Sequence, residues 1–186
     1  MEIIEIPYLL SQEKCSYVIE LAKKHGILNS KNDTSLNANF IIEYDEHDDD
    51  VLDSIENSIS SQIGISVKNF ECLQVVRYNV DGNIKPHYDW LDVNDEKLSD
   101  ELKEEGNKTH SCLVYLNDNF SGGETYFINE NKKIIPKKGK GLIWTNIKNG
   151  ECLYESLHEG LPVTEGEKWI LVTWIRENEI RKNQNG

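Results

Sequence analysis

The chain has 186 residues, which is enough for one domain with a substantial buried core. Its formal net charge of -13 argues against nucleic acid or an anionic membrane surface as the main partner. A basic peptide or a small neutral substrate fits this charge better.

The N-terminal half combines one short strand with two amphipathic helices. A strand is predicted over 3–6, and Ser11 is typical of the cap of a helix that runs to about His25 and stops at Gly26. A second helix is predicted from about Asp50 to Gly64, with apolar residues spaced along one face. We expect both helices to support a sheet.

From Glu71 onward the pattern changes to short β-like runs separated by Gly, Asn and Asp. These predicted strands are Cys72–Tyr78, Ser111–Leu116, Thr125–Ile128, Lys132–Ile135, Gly141–Trp144 and Trp169–Ile175. Closely spaced short strands indicate an all-β sandwich or barrel in the second half.

Two polar segments separate these elements. The Asn- and Ser-rich stretch 28–39 has no apolar period and is predicted to be an exposed loop. The charged stretch 92–108 is either a lid over a site or a plain surface insertion, and the sequence leaves both open. The acidic run Asp45–Asp50 is typical of a solvated loop.

The cysteines and the N-terminus indicate an intracellular setting. The four cysteines are widely spaced and form no C-x-x-C pair, as is typical of reduced core residues: Cys15, Cys72, Cys112 and Cys152. The first residues lack a basic region followed by an apolar stretch, and no run approaches the length of a membrane span. We therefore expect a cytoplasmic protein.

Three separated residues, His87, Asp89 and His158, have the composition of a metal site. Two imidazoles and one carboxylate form the facial triad of non-haem Fe(II) oxygenases, which leaves coordination positions open. On a strand, His87 and Asp89 project from the same face, whereas Tyr88 faces the other way. The alternatives are a zinc hydrolase site or merely buried histidines. The remaining histidines, His25, His47 and His110, are expected not to be ligands.

The blocks around this trio resemble the prolyl 4-hydroxylase family of Fe(II)/2-oxoglutarate dioxygenases over about residues 70 to 176. The resemblance is carried, in the family's order, by Leu73-Gln74-Val75-Val76-Arg77-Tyr78, His87-Tyr88-Asp89, Val114-Tyr115-Leu116-Asn117-Asp118, Gly122-Gly123-Glu124-Thr125, Trp144-Thr145-Asn146, Ser156-Leu157-His158 and Gly166-Glu167-Lys168-Trp169. The resemblance implies a mainly β (α+β) fold: a double-stranded β-helix, or jelly roll, with N-terminal supporting helices. The expected organisation is one domain, 1–186, with a helical support region, 1–69, and a catalytic core, 70–178.

The same resemblance implies residue roles. His87, Asp89 and His158 are expected to hold Fe(II) and so to be catalytic. Lys168 is expected to anchor the far carboxylate of 2-oxoglutarate. Three weaker expectations are that Tyr78 and Ser111 help to bind the cosubstrate and that Trp144 lies near the substrate.

The implied reaction is the hydroxylation of peptidyl proline, with O2 and 2-oxoglutarate consumed, succinate and CO2 released, and ascorbate as the expected reductant. Related iron halogenases have a small residue in place of the carboxylate, so Asp89 favours hydroxylation. The expected partner is a proline-containing peptide or protein. A free amino acid or other small molecule is an alternative substrate, and a non-catalytic metal-binding module is an alternative function.

One departure from the family pattern concerns the substrate. Many members have Arg-Thr-Ser before the second helix, where this chain has Asp33-Thr34-Ser35. If that loop closes over the substrate, replacing a cation with an acid at residue 33 changes which peptide is favoured. The oxidative chemistry does not depend on this loop.

Overall fold

The structure is a computed structural model that describes residues 1–25, 40–44 and 49–181. The helices within these ranges are α1 (Gln12–His25), α2 (Asp50–Ile63) and α3 (Ser99–Glu105). Short 3-10 turns occur at Val67–Asn69, Glu96–Leu98 and Tyr154–Ser156. The strands are β1 (Ile3–Ile6), β2 (Phe40–Tyr44), β3 (Leu73–Tyr78), β4 (Ile84–His87), β5 (Lys108–Tyr115), β6 (Ser121–Gly122), β7 (Thr125–Phe127), β8 (Lys132–Ile134), β9 (Gly141–Thr145), β10 (Ile147–Lys148), β11 (Glu151–Cys152), β12 (His158–Gly160), β13 (Val163–Glu165) and β14 (Lys168–Arg176).

The strands form two principal antiparallel sheets. A major sheet of six strands has the order β1-β9-β5-β14-β3-β2, and a minor sheet of four has the order β4-β12-β7-β8. Two small ribbons, β10-β11 and β13-β6, complete the pairing. The chain crosses repeatedly between the sheets, as in a jelly roll. The predicted double-stranded β-helix with N-terminal helices is therefore confirmed.

Local sequence signals account for the ends of the supporting helices. Ser11 Oγ accepts a hydrogen bond from Lys14 N at 3.2 Å, as predicted for the cap of α1. Asp49 caps α2 through bonds to the first backbone amides of the helix. Gly64, at φ 69°, adopts the left-handed conformation that ends α2.

The major sheet is buried on both faces because its strands alternate between two apolar layers. On one face, Leu73 and Val75 of β3 pack with the apolar sides of α1 and α2. On the other face, Val76 and Tyr78 of β3 pack toward the minor sheet. Successive side chains of a strand point to opposite faces, so one short run supplies both cores. The helices thus cover the sheet from outside.

The N-terminal region contributes more than helices. The segment 40–44, which the sequence analysis did not predict as a strand, forms β2 and pairs with residues 73–77 of β3. Together with β1, it supplies both edge strands of the major sheet. The loop 28–39, with Asp33-Thr34-Ser35, lies outside the described residues, as do His47 and most of the acidic run.

The structure also bears on the predictions about the cysteines and about membrane spans. Cys15 and Cys112 are buried thiols, whereas Cys72 and Cys152 are only half-buried, so not all four are core residues; all are free thiols. Within the described ranges, no helix has the length and apolar character needed to cross a bilayer. The cytoplasmic location stays a prediction.

Candidate metal and cosubstrate site

The three proposed ligands meet at one end of the minor sheet. His87 is the last residue of β4, His158 is the first residue of β12, and the two are directly paired across these antiparallel strands. Asp89 lies two residues beyond the end of β4, rather than within it. One nitrogen or oxygen ligand atom from each of the three lies within 4.8 Å of the others. Strand pairing therefore joins residues that are far apart in sequence.

Backbone carbonyls orient both imidazole rings. His87 Nδ1 lies 2.8 Å from the carbonyl oxygen of Lys85, and His158 Nδ1 lies 2.9 Å from that of Ser156. When each Nδ1 donates its proton to the carbonyl, each Nε2 keeps a free lone pair. Such outer hydrogen bonds fix the tautomer that metal-binding histidines need.

The electrostatics of the trio suit a cation. Burial would raise the pKa of Asp89, but His158, His87 and the hydroxyl of Ser111 together hold it well below its ordinary value. Burial lowers the pKa of His158, against the opposing effect of Asp89. At neutral pH the site thus offers a carboxylate and a neutral buried imidazole, the protonation states that bind a metal ion.

The donor set fits Fe(II). Two imidazole nitrogens and one carboxylate oxygen on one side of an ion leave positions on the other side open, as in the facial triad of non-haem iron oxygenases. Among the described residues, this trio is the one group of three or more His, Cys, Asp or Glu side chains placed to share an ion.

Lys168 lies in the same cavity as the trio. It begins β14, pairs with Tyr78 of β3, and is 3 % exposed. Its ammonium donates to the carbonyl oxygen of Gly123 at 2.7 Å, and no described carboxylate forms an ion pair with it. Burial lowers the pKa of Lys168 to about 7. A buried cation without an anionic partner is costly, so the site favours an anionic ligand.

Aromatic and hydroxyl groups surround this ammonium. Its nitrogen lies 5.0 Å from the ring centroid of Tyr78 and 5.7 Å from that of Tyr115. The hydroxyl of Tyr115 is hydrogen-bonded to that of Thr125 at 2.7 Å, and Thr125 also lines the cavity. Thr125 thus adds a hydroxyl to the cavity wall next to Tyr115, whose ring lies beside the Lys168 ammonium. The sequence analysis did not name it as a site residue, although it ends the Gly-Gly-Glu-Thr block.

Ser111 contacts the carboxylate of the trio. Its hydroxyl donates to Asp89 Oδ2 at 2.6 Å. In the sheet it is paired with Trp174, six residues along β14 from Lys168. At roughly 3.3 Å per residue, this puts the backbones of Ser111 and Lys168 about 20 Å apart. The geometry supports a contact with the ligand carboxylate, whereas binding of the cosubstrate by Ser111 stays an untested prediction.

All the side chains singled out from the sequence line a single cavity of about 270 Å³. They are His87, Asp89, His158, Lys168, Tyr78, Ser111 and Trp144. Trp144 is 3 % exposed, and its ring centroid lies 4.9 Å from that of His158. Its buried indole nitrogen has no hydrogen-bond partner among the described residues, so Trp144 is placed to contact a ligand beside the trio.

Comparison with known proteins gives consistent relationships. The sequence model of the 2OG-Fe(II) oxygenase superfamily matches residues 73–176. A protein of Acanthamoeba polyphaga mimivirus, named as a prolyl 4-hydroxylase, is 38% identical over 128 residues, which are 68% of this chain and 53% of that protein. Prolyl 4-hydroxylase subunit alpha-2 of Gallus gallus is 34% identical over 134 residues, or 72% of this chain and 24% of that subunit.

A solved structure extends the similarity over nearly the whole chain. The viral collagen prolyl hydroxylase of Paramecium Bursaria Chlorella virus-1, in its 2OG complex, is 30% identical with a TM-score of 0.79, covering 95% of this chain and 96% of that chain. By contrast, this chain spans about half of the mimivirus protein and a quarter of the chicken subunit. The chain belongs to the prolyl 4-hydroxylase family within the 2OG-Fe(II) oxygenase superfamily.

Proposed function

We propose that the protein is an Fe(II)- and 2-oxoglutarate-dependent dioxygenase that hydroxylates proline residues in peptides. The observation that carries this proposal is a single cavity that holds both the His87, Asp89 and His158 trio and a buried lysine. A hydrolytic zinc site needs no such lysine, whereas a cosubstrate with a second carboxylate does. Bound Fe(II), with 2-oxoglutarate and O2, supplies an oxidant that hydroxylates the substrate as 2-oxoglutarate becomes succinate and CO2.

The residues of the chain would bind, orient and enclose the reactants. The two Nε2 atoms and Asp89 would hold the ion, with the imidazoles oriented through their Nδ1 bonds. Lys168 would neutralise the far carboxylate of 2-oxoglutarate, and the Thr125 hydroxyl, which lines the same cavity, would share that carboxylate. The buried walls would exclude water, which strengthens this ion pair.

Peptidyl proline is the substrate that the relatives favour, because the viral structure and the chicken subunit are both named as prolyl hydroxylases. The net charge of -13 further favours a peptide with basic residues beside the proline. No observation on the structure favours a free amino acid or a binding module without turnover. We also propose ascorbate as the reductant that sustains repeated turnover.

The test is peptide hydroxylation with matched substrates. Purified protein is supplied with Fe(II), 2-oxoglutarate and ascorbate, together with either a proline-rich peptide flanked by lysines, the same peptide flanked by glutamates, or free proline. We expect succinate and a peptide that gains one oxygen atom, with the lysine-flanked peptide preferred. Hydroxylation of free proline alone would refute the peptide substrate. Omission of ascorbate should slow later turnovers while leaving the first one intact.

The first binding measurement is the anaerobic addition of Fe(II) and 2-oxoglutarate while the visible charge-transfer band of the chelate is followed. Wild type should develop the band, and Lys168→Ala should need a higher 2-oxoglutarate concentration to reach it. His158→Ala should lack the band. Its absence from wild type would contradict the assignment of iron or cosubstrate.

A further inference from the structure

A chain of two hydrogen bonds runs from the interior of the major sheet to the proposed iron carboxylate. Asn146 Nδ2 donates to Ser111 Oγ at 2.8 Å, and Ser111 Oγ donates to Asp89 Oδ2 at 2.6 Å. Asn146 and Ser111 are 0% and 1% exposed, so water does not compete for these bonds. The contact therefore persists as part of the folded structure.

The direction of the chain follows from the protonation of Asp89. An ionised carboxylate only accepts hydrogen bonds, so the Ser111 hydroxyl must donate its single proton to Asp89. Ser111 Oγ is then left with lone pairs, which accept from the amide nitrogen of Asn146. If the Asn146 amide were reversed, its Oδ1 would face Ser111 Oγ, and no proton would lie between these two oxygens.

The backbone around Asn146 holds the start of this chain in place. Asn146 N donates to the carbonyl of Thr109 at 2.8 Å, and Leu153 N donates to the carbonyl of Asn146 at 2.8 Å. Ser111 lies between its two neighbouring strands, paired with Trp144 and Trp174. Asp89, in contrast, lies in a connection beyond the end of β4. Its carboxylate thus depends on a partner in the sheet for its position.

We propose that Ser111 and Asn146 are positioning residues that hold Asp89 Oδ2 and leave Oδ1 to bind the metal ion. Oδ1 lies 3.4 Å from His87 Nε2 and Oδ2 lies 3.8 Å from His158 Nε2, so both oxygens face the trio, and the Ser111 hydroxyl occupies a lone pair of Oδ2. The inference rests on the proposed function, since it takes the trio as the metal ligands. Removing the Ser111 hydroxyl frees the carboxylate to rotate and weakens metal binding by about 10- to 100-fold.

The test measures metal affinity without turnover. Co(II) alone is titrated into the metal-free protein and followed by its visible absorption, for wild type, Ser111→Ala and Ser111→Thr. We expect Ser111→Ala to bind Co(II) about 10- to 100-fold more weakly, while the metal-free protein still unfolds in one cooperative thermal transition. Ser111→Thr retains the hydroxyl and should bind as wild type does. Asn146→Asp, which replaces the donor with an acceptor, should also weaken binding.

The matched control is Thr173→Val. Thr173 is 0% exposed in β14, and its hydroxyl donates to the carbonyl of Glu71, away from the trio. This variant also loses a buried hydroxyl but should keep wild-type Co(II) affinity. If Ser111→Ala and wild type bind Co(II) with equal affinity, the positioning role is refuted and the proposed function is not. Failure of wild type to bind Co(II) would instead refute the proposed function. If Ser111→Ala does not fold, Ser111→Cys replaces it with the same expectation.

Discussion

At the residue scale, the most informative side chain is Lys168. It is buried in a cavity wall without a carboxylate partner among the described residues, and its pKa is lowered to about 7. A charged group in this position destabilises the empty protein. Lys168 also begins a core strand, where an apolar residue would pack more favourably. Retaining an ammonium here is best explained by an anionic ligand that restores its charge.

The lowered pKa of Lys168 predicts that 2-oxoglutarate binding depends on pH. Above about pH 7 the free amine predominates in the empty site, and the dianionic cosubstrate must bring a proton with it. The affinity should then fall by up to about tenfold per pH unit, and binding enthalpy should vary with the ionisation heat of the buffer. Anaerobic calorimetry in two buffers, at about pH 6.5 and 8.5, measures both effects.

Lys168→Arg is the matched control, because a guanidinium stays protonated throughout this range. If it binds the cosubstrate, its affinity should not change with pH. The metal-free wild type should also become more stable between about pH 7 and 10.5, since there the unfolded chain binds a proton that the folded state has released. A pH-independent wild-type affinity would contradict the role of Lys168.

Thr125 carries the second prediction at this scale. Thr125→Val preserves shape but removes the hydroxyl near the proposed carboxylate site. We expect the KM for 2-oxoglutarate to rise by about tenfold or more, because one charge-assisted hydrogen bond is lost. The metal affinity should stay unchanged. Tyr115→Phe removes the other hydroxyl of the Tyr115–Thr125 hydrogen bond and tests the same contact. Steady-state kinetics in which the KM of Thr125→Val equals that of wild type would exclude a direct contact.

At the scale of elements, the segment after the iron-ligand loop is held in place rather than free to swing. The Asn107 side chain accepts from Leu91 N and donates to Leu91 O, both at 2.8 Å, and so joins the two ends of the insertion. Arg176, at the end of β14, binds Glu101 and the carbonyl of Gly106. Of the two readings left open by the sequence, these contacts favour a fixed surface element over a lid.

Asn107→Ala should therefore loosen the insertion. Loss of the buried Asn107 amide leaves the half-buried backbone groups of Leu91 with fewer partners, which should lower the free energy of unfolding by about 1–3 kcal/mol. Proteolysis between residues 92 and 105 should become faster. Asn94→Ala is the control, because Asn94 is exposed and bonds only locally to Asp92. Urea unfolding and limited proteolysis measure the effects. If wild type and Asn107→Ala are cleaved at the same rate, the Asn107–Leu91 bonds do not hold the insertion in place.

At the scale of the whole molecule, we propose that residues 1–186 form one domain, with 1–69 as a support region and 70–178 as the catalytic core. The supporting helices cover the outer face of the major sheet, where Val75, Val114 and Leu171 are buried. The first region also supplies both edge strands of that sheet. Separating the two regions would expose this apolar face to water.

The one-domain proposal predicts that a fragment of residues 70–186 does not fold alone. It should lack a cooperative thermal transition by circular dichroism and aggregate on size exclusion, because its uncovered sheet face is apolar. The full chain should unfold in a single urea transition that is the same by fluorescence and by circular dichroism. A monomeric 70–186 fragment that binds Co(II) would show instead that the core is independent.

The sequence by itself predicted an all-β second half, both supporting helices and a metal-binding trio, while its resemblance to the prolyl 4-hydroxylase family implied the jelly roll and the residues proposed to hold iron and 2-oxoglutarate. These features depend on residue type, local period and motif order, which a chain records directly. The short strands β4 and β12 were not predicted, because their sequences, IKPH and HEG, are mostly polar and contain Pro or Gly, which are depleted in strands. Their pairing nevertheless places His87 opposite His158.

Only the tertiary structure decided which distant side chains meet. Ser111 contacts Asp89, and the Thr125 hydroxyl bonds to that of Tyr115 in the wall of the cavity. Asn107 and Asn146 are ordinary polar residues in the sequence, yet each bonds to a partner that folding brings to it. Such contacts depend on which strands pair and in which register, because a shift of one residue moves every side chain of a strand to the other face of the sheet. The sequence of one segment does not record which distant segment it will pair with.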